Sequence, residues 1–201
     1  MTAADVSVTA LGSYPTPLHR LHGIERELGL GPLYTKRDDL NGFALAGNKT
    51  RPLRYLIADA QAAGAHVLVA GGRPESNFCA AAAVAARSVG LGCELVIATP
   101  SGEPEAGANI ALARAAGASM VWVRAKGDEI DAAISAHADR LTAGGRPAYA
   151  IPRGGSTPLG AMGFADAAGE LTEQLRAAGA DRATVVCAVG SGGSCAGLLV
   201  G

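Results

Sequence analysis

The sequence has few aromatic residues, little charge and no excess of basic residues. Of its 201 residues, 4% are aromatic and 17% are charged, and the formal net charge is −1. Proteins that bind nucleic acid or an anionic membrane surface usually carry a basic patch or a marked positive balance. We therefore expect neither nucleic acid nor a membrane among its partners.

Long apolar runs, targeting signals and cysteine clusters are also missing. No apolar run approaches the roughly 20 residues of a transmembrane helix, and residues 1–9 lack the basic and apolar regions of a signal peptide. The four cysteines form no CxxC pair and show no metal-ligand spacing. We expect no metal site and a reducing, cytoplasmic location. Cys79, Cys93 and Cys187 lie in apolar runs and are predicted to be buried.

Small and apolar residues dominate, and strand patterns alternate with helix patterns. Hydrophobic residues make up 49% of the chain, which also has 28 glycines. The alternation predicts an α/β fold built on parallel sheets. The predicted strands are 33–36, 66–70, 94–98, 120–123, 149–151 and 184–189. The predicted helices are 50–63, 76–88, 104–116, 128–142 and 158–178.

The segment Gly47-Asn48-Lys49-Thr50-Arg51 places a lysine immediately before a helical run. An apolar neighbourhood and the positive end of a helix dipole both disfavour the ammonium form of a lysine. A lysine of that kind forms Schiff bases with carbonyl compounds. Lys49 is therefore a candidate catalytic residue, and the alternative is a solvated lysine in a first helical turn.

A glycine-rich turn, Gly190-Ser191-Gly192-Gly193-Ser194, follows a predicted buried strand and precedes a helix. Backbone N–H groups and the helix dipole of such a turn face an anion such as a phosphate. The turn is neither a dinucleotide fingerprint, because Cys195 occupies the final glycine position, nor a P-loop. The alternative is a turn that only permits packing.

Two further motifs carry polar side chains. Ser76 precedes a predicted helix and is expected to cap it, and an anion at that helix N-terminus is physically reasonable. Arg37 is expected to form a structural ion pair with Asp38 or Asp39. An acid/base role for the two carboxylates is the alternative.

Four motifs, in this order, resemble those of one enzyme family. They are Lys36-Arg37-Asp38-Asp39-Leu40, the segment around Lys49, Glu75-Ser76-Asn77, and the turn at 190–194. The chain resembles the D-cysteine desulfhydrase and 1-aminocyclopropane-1-carboxylate (ACC) deaminase family from about residue 14 to its last residue. This family belongs to the tryptophan-synthase-β-like, fold type II group of pyridoxal-phosphate (PLP) enzymes.

The resemblance implies a fold of two doubly wound, mainly parallel α/β domains. Residues 1–49 and 151–201 would belong to the larger, PLP-binding domain, and 50–150 would form the smaller one. Roughly the last third of a family member has no counterpart here, so we expect the larger domain to be truncated. The resemblance also implies a homodimer.

The resemblance further implies the role of each site residue. Lys49 would hold PLP covalently, Asn77 would contact its ring oxygen, and Gly190, Ser191, Gly192, Gly193 and Ser194 would bind its phosphate. Ser76, with Asn77 and the helix N-terminus, would bind the substrate carboxylate. The implied reaction is either β-elimination of a D-cysteine-like substrate to pyruvate, ammonia and sulfide, or deamination of ACC to 2-oxobutyrate and ammonia.

Three positions depart from the family pattern. Pro52 replaces a lysine that approaches the phosphate, and Arg51 or Arg54 could supply the missing charge. Glu75 and Phe78 replace polar family residues and indicate a different amino-acid substrate. The alternatives are a non-catalytic fragment that binds PLP or a phosphometabolite, a cysteine-synthase-like β-replacement enzyme, and, more distantly, a nucleotide-binding protein.

Overall fold

The computed structural model describes residues 7–201 of the chain. The helices are α1 (His22–Leu28), α2 (Thr50–Ala62), α3 (Asn77–Ser88), α4 (Ala108–Ala115), α5 (Asp128–Ala143), α6 (Pro158–Ala177) and α7 (Gly193–Val200). The strands are β1 (Leu18–Arg20), β2 (Tyr34–Lys36), β3 (Val67–Gly72), β4 (Gly92–Ala98), β5 (Ser119–Val123) and β6 (Ala148–Ala150). Short 3-10 turns span Asp38–Leu40, Gly47–Lys49 and Arg153–Gly155.

A four-stranded parallel sheet in the order β5-β4-β3-β6 forms the centre of the fold. Every residue of β3 is buried, because helices cover both faces of the sheet. Successive side chains of a strand point to opposite faces. Leu68 packs into the core shared with α2, α3 and α4, whereas Val69 packs against Ile130 and Ile134 of α5. The predicted α/β class with a parallel sheet is confirmed.

Most predicted elements form, with shifted ends. The strand predicted at 66–70 continues through Gly71 and Gly72. Only glycine fits at position 71, because a Cβ there would lie 2.8 Å from the Ile134 side chain. The predicted helix start at Pro104 is wrong, because α4 begins at Ala108. Residues 104–107 have no regular secondary structure. Just before them, the Thr99 hydroxyl donates to the Glu103 carbonyl oxygen at 3.0 Å.

The predicted buried strand at 184–189 is wrong. This segment has no regular secondary structure, and Val186 is 90% exposed. An extended segment needs a neighbouring strand to satisfy its N–H and C=O groups, and none lies beside it in residues 7–201. The predicted burial of Cys187 is wrong for the same reason. Cys79 and Cys93 are buried as predicted, and burial raises the pKa of the two thiols to about 11 and about 12.

The Arg51 guanidinium is fully buried and joins three parts of the chain. It donates to both Asp38 oxygens at 2.8 Å and to the two Glu170 oxygens at 3.0 and 2.9 Å. It also donates to the Thr16 hydroxyl at 3.1 Å. The first turn of α2 is thereby held to the segment before it and to α6.

Two further groups complete this buried network. Lys36 Nζ donates to Glu170 Oε2 at 2.6 Å and to the Thr16 carbonyl oxygen at 2.7 Å. The Tyr14 ring lies beneath the guanidinium carbons of Arg51 and Arg54, whose distances to its centroid are 4.7 and 4.4 Å. The network links the N-terminal segment to α6, as a shared larger domain requires. The boundaries 1–49, 50–150 and 151–201 stay a prediction.

Replacing Arg51 with alanine would leave Asp38 and Glu170 without their main partner. Removing one side of a buried ion pair typically costs about 3–5 kcal/mol, and we expect a loss of that size in the free energy of unfolding in urea. Arg176→Ala is the control, because Arg176 forms an exposed pair with Glu173. That change should stay within about 0.5 kcal/mol. Equal losses in both variants would contradict the central position of Arg51.

The free energy of unfolding should also depend on pH, because Glu170 is part of the buried network. Burial raises the pKa of Glu170, but hydrogen bonds from Arg51 and Lys36 outweigh burial and hold that pKa below its ordinary value. A carboxyl whose pKa is lowered by folding stabilises the fold above its unfolded pKa, and this stabilisation is lost as pH falls through the folded pKa. We therefore expect the free energy of unfolding to decrease as pH falls below 4.5.

Equilibrium unfolding at several pH values tests this dependence. Glu170→Gln should show a shallower decrease than the parent protein, because one of the titrating carboxyls is gone. Glu173→Gln, which changes an exposed carboxylate on the same helix, should follow the parent profile. Parallel acid profiles for the parent and Glu170→Gln would show that Glu170 does not contribute.

Candidate functional site

Lys49 ends a 3-10 turn that runs directly into α2. The buried side chain of Asn41 holds this turn, because its Nδ2 donates to the Gly47 carbonyl oxygen at 2.7 Å and to Thr50 Oγ1 at 3.2 Å. Its Oδ1 accepts from the Phe43 amide at 2.9 Å. The backbone on both sides of Lys49 is therefore fixed, while its side chain stays partly exposed.

A small pocket brings Lys49 together with two glycine-bearing turns. One turn is the predicted 190–194 segment, and the other lies between β6 and α6. The first turn of α2 and one side of α6 close the pocket. Its lining residues are Lys49, Pro52, Gly154, Gly155, Ser156, Gly160, Ala161, Phe164, Ser191, Gly193 and Ser194.

The turn at 190–194 has the geometry of an anion site. Gly192 has a φ of 90°, in the left-handed region, and no side chain caps α7 after it. The first N–H groups of an α-helix have no partner within the helix, and together with the helix dipole they attract an anion. The side chains of Ser191 and Ser194 line the pocket beside them, whereas Gly190 and Gly192 shape the turn without lining it.

Ser76 and Asn77 lie at the start of α3 and do not line this pocket. Ser76 caps the helix as predicted, since its Oγ accepts from the Cys79 amide at 3.2 Å. Asn77 Oδ1 accepts from Nδ2 of Asn109 at 2.9 Å. The contact of Asn109 joins residues from two helices, and no motif in the sequence indicated it.

Phe78 has a structural position rather than a place in the pocket. Its side chain is 2% exposed and belongs to the core around α2 and α3. A Cβ at Gly155 would lie 2.9 Å from Phe78 Cε2, so the aromatic ring packs against the back of the 153–157 turn. The sequence reading of Phe78 as a substrate-related change is therefore not supported by its location.

The turn Gly154-Gly155-Ser156 is the part of the pocket that the sequence analysis missed. Thr157 follows it and caps α6, since its Oγ accepts from the Gly160 amide at 2.9 Å. The available signal was the same strand, glycine turn and helix order that marked residues 190–194.

Within residues 7–201, the arginines near the pocket are already paired, whereas Lys49 forms no ion pair. Arg51 is bound to Asp38 and Glu170, and Arg54 donates to Asp166 at 3.2 Å. These contacts do not support the prediction that Arg51 or Arg54 replaces the charge missing at Pro52.

The paired carboxylates before the pocket have structural partners. Arg37 pairs with Asp39 at 2.7 Å, as predicted. Asp38 accepts from Arg51 and from the Thr16 hydroxyl at 2.8 Å. These contacts support the structural reading of Asp38 and Asp39 rather than an acid/base pair.

Close backbone contact between α2 and α6 sets the position of Lys49 across the pocket. A Cβ at Gly163 would clash with the Arg51 carbonyl group, and one at Gly160 would clash with the Gly155 carbonyl oxygen. Glycine lets two backbones approach at such points. The first contact packs α2 against α6, the second packs the 153–157 turn against α6, and Lys49 and Gly155 both line the pocket.

The fold and the pocket around Lys49 indicate one class of enzyme. Comparison with known families identifies that class. The family described as pyridoxal-phosphate dependent enzyme matches residues 9–201. The chain belongs to this family, and the resemblance read from its motifs is confirmed.

Three relatives define the similarity more closely. The chain is 37% identical over 189 residues to a Pyrococcus abyssi protein with the provisional name 1-aminocyclopropane-1-carboxylate deaminase, covering 94% of this chain and 56% of that protein. It is 37% identical over 191 residues to D-cysteine desulfhydrase of Salmonella paratyphi B, covering 93% and 57%. A crystal structure of an ACC deaminase homologue superimposes with a TM-score of 0.84 at 34% identity, covering 97% and 58%.

The chain thus spans somewhat more than half the length of the relatives it matches. None of the helices in residues 7–201 is both long and apolar enough to cross a membrane. Over the same residues, no group of three or more His, Cys, Asp or Glu side chains is arranged to hold a metal ion.

The contact between α2 and α6 gives a prediction with a control in the same helix. Gly163→Ala would force its Cβ into the Arg51 carbonyl group, and overpacking of this kind typically costs about 1–3 kcal/mol. Gly169→Ala meets no atom within 4 Å and should stabilise the helix by up to about 1 kcal/mol. Urea unfolding measures both changes. A stabilising effect of Gly163→Ala would contradict the close contact.

Proposed function

We propose that this chain carries the PLP site of a lyase or deaminase that acts on a small amino acid. One observation supports this most directly. The Lys49 amine and the uncapped, glycine-rich start of α7 line the same pocket, although they are separated by most of the chain.

The residues in the pocket fit the chemical groups of PLP. An aldehyde requires an amine, and Lys49 lines the pocket. A phosphate requires N–H and hydroxyl donors, which the turn around Gly192 and the side chains of Ser191 and Ser194 can supply. Pro52 and Phe164 add apolar surface for a ring.

PLP, when bound, supplies an electron sink for a carbanion at the Cα of an amino acid. Lys49 would hold the cofactor through its amine, and the same amine, when free, would move a proton at the substrate Cα. In the described part of the chain, the Ser76 Oγ only accepts, from the Cys79 amide, so its hydroxyl hydrogen would be free to donate to a substrate carboxylate. Asn77 lies at the start of α3, outside the lining of the pocket, and its Oδ1 accepts from Asn109. Its NH₂ group would contact the ring oxygen.

The substrate is proposed from the relatives together with these roles. A D-cysteine-like substrate would give pyruvate, ammonia and sulfide, and ACC would give 2-oxobutyrate and ammonia. The names of the relatives do not favour a non-catalytic fragment, a cysteine-synthase-like enzyme or a nucleotide-binding protein.

The organisation of the protein is part of the same proposal. We propose a cytoplasmic homodimer in which 50–150 forms the smaller domain and 1–49 with 151–201 belongs to the larger one. In support of this division, all four parallel strands lie between Val67 and Ala150.

Lys49→Ala should abolish covalent binding of PLP. The chain contains only three lysines, so Lys126→Ala is a matched control that removes a lysine outside the pocket. With added PLP, the parent and Lys126→Ala should develop the visible absorbance band of a lysine-bound pyridoxal ring, and Lys49→Ala should not. Borohydride reduction and peptide mass spectrometry should place the label on Lys49.

Activity provides the second measurement. Pyruvate formation from D-cysteine, or 2-oxobutyrate formation from ACC, should be lost in Lys49→Ala and retained in Lys126→Ala. Turnover by the folded Lys49→Ala variant, or a label on another lysine, would rule out the assigned role.

A further inference from the structure

The hydroxyl of Ser156 faces the proposed phosphate turn and has no role in the fold. Ser156 lines the pocket with Lys49, and a Cβ at Gly193 would lie 2.9 Å from Ser156 Oγ. Within residues 7–201, no protein group forms a hydrogen bond with this hydroxyl, in contrast to its neighbour Thr157, which caps α6. The hydroxyl is thus placed at the mouth of the turn and is free to bind a ligand.

Packing contacts and hydrogen bonds to neighbouring elements fix the turn that carries Ser156. Gly154 and Gly155 both have left-handed φ values, 68° and 66°. A Cβ at Gly155 would lie 2.9 Å from the side chains of both Leu56 and Phe78. Arg153 is bound to Asp131 through its amide and its Nε, each at 2.8 Å. Because the turn is ordered before any ligand arrives, little conformational entropy is lost on binding.

The pocket offers few positive charges, so a phosphate bound there would need a neutral donor such as the Ser156 hydroxyl. Lys49 is the only cationic side chain among the lining residues, and its amine is assigned to the aldehyde. Arg51 and Arg54 are occupied by carboxylates, and Pro52 has no donor. A phosphate in this pocket must therefore be bound mainly by neutral hydroxyl and N–H groups, which form strong hydrogen bonds to a charged acceptor.

We infer that Ser156 is a phosphate-binding residue, whose hydroxyl donates to the PLP phosphate from the side opposite the 191–194 turn. The phosphate is then held between two glycine turns, one at the start of α6 and one at the start of α7. In this arrangement a neutral donor in the turn before α6 takes the place of a cation near Pro52. The inference rests on the proposed function and adds a residue that none of the recognised motifs contains.

The test compares two ligands that differ only in the phosphate. PLP and pyridoxal are titrated into the parent protein, Ser156→Ala and Ser135→Ala, with the visible absorbance band as readout. Ser135 is an exposed residue of α5 and is the matched control. A hydrogen bond to a charged group contributes strongly to the free energy of binding. Ser156→Ala should therefore weaken PLP binding by about tenfold or more. Pyridoxal binding should be the same in all three proteins.

A second measurement separates ligand binding from folding. Since no protein group hydrogen-bonds to the Ser156 hydroxyl in residues 7–201, the urea midpoint of ligand-free Ser156→Ala should equal that of the parent protein. A specific loss of PLP affinity with an unchanged midpoint supports the inference.

Three outcomes would overturn the inference. Unchanged PLP affinity would show that the hydroxyl does not reach the phosphate. An equal loss for PLP and pyridoxal would show that Ser156 acts on the ring or on the shape of the pocket. In both cases the parent still binds PLP, so the proposed function stands. Absence of the band in the folded parent protein would overturn the proposed function as well.

Discussion

The position of the candidate site depends on one buried charge. Arg51 lies two residues after Lys49, and its guanidinium is enclosed by Asp38, Glu170 and the Thr16 hydroxyl. Burying a guanidinium is unfavourable unless its donors are satisfied. Five N–H groups are available on arginine. They donate to the two carboxylates, the hydroxyl and, at 3.5 Å, the Gly163 carbonyl oxygen. The start of α2 therefore has one favourable position relative to α6, and this position carries Lys49 into the pocket.

Small residues let the elements around Arg51 pack closely enough to form the site. Where α2, α6, α7 and the glycine turns meet, glycines allow backbone groups to approach where side chains would clash, at Gly155, Gly160, Gly163 and Gly197. This packing leaves little free space and brings the starts of α2, α6 and α7 to one pocket. Adding a single methyl group at any of these positions would therefore disturb the whole site.

Sequence reasoning succeeded where neighbouring residues determine the structure. The apolar run at 66–70 correctly predicted a strand, which is buried because both of its faces are covered. Ser76 was correctly predicted to cap a helix, because its partner, the Cys79 amide, lies only three residues away. It failed at 184–189, where an apolar pattern alone predicted a strand. A strand forms only beside another strand, and the residues described here place none next to it. It also failed for Arg51 and Arg54, whose carboxylate partners cannot be identified from their local sequence.

The sequence by itself determined the α/β class, the lysine before a helix, the helix cap and the glycine-rich turn. These features depend on periodicity and on residues a few positions apart. Only the tertiary structure decided that Arg51 binds Glu170, 119 positions away, and that Ser156 faces Gly193. Such contacts form only when separate helices pack, because the energy of a buried charge or hydroxyl depends on groups that the rest of the fold brings to it.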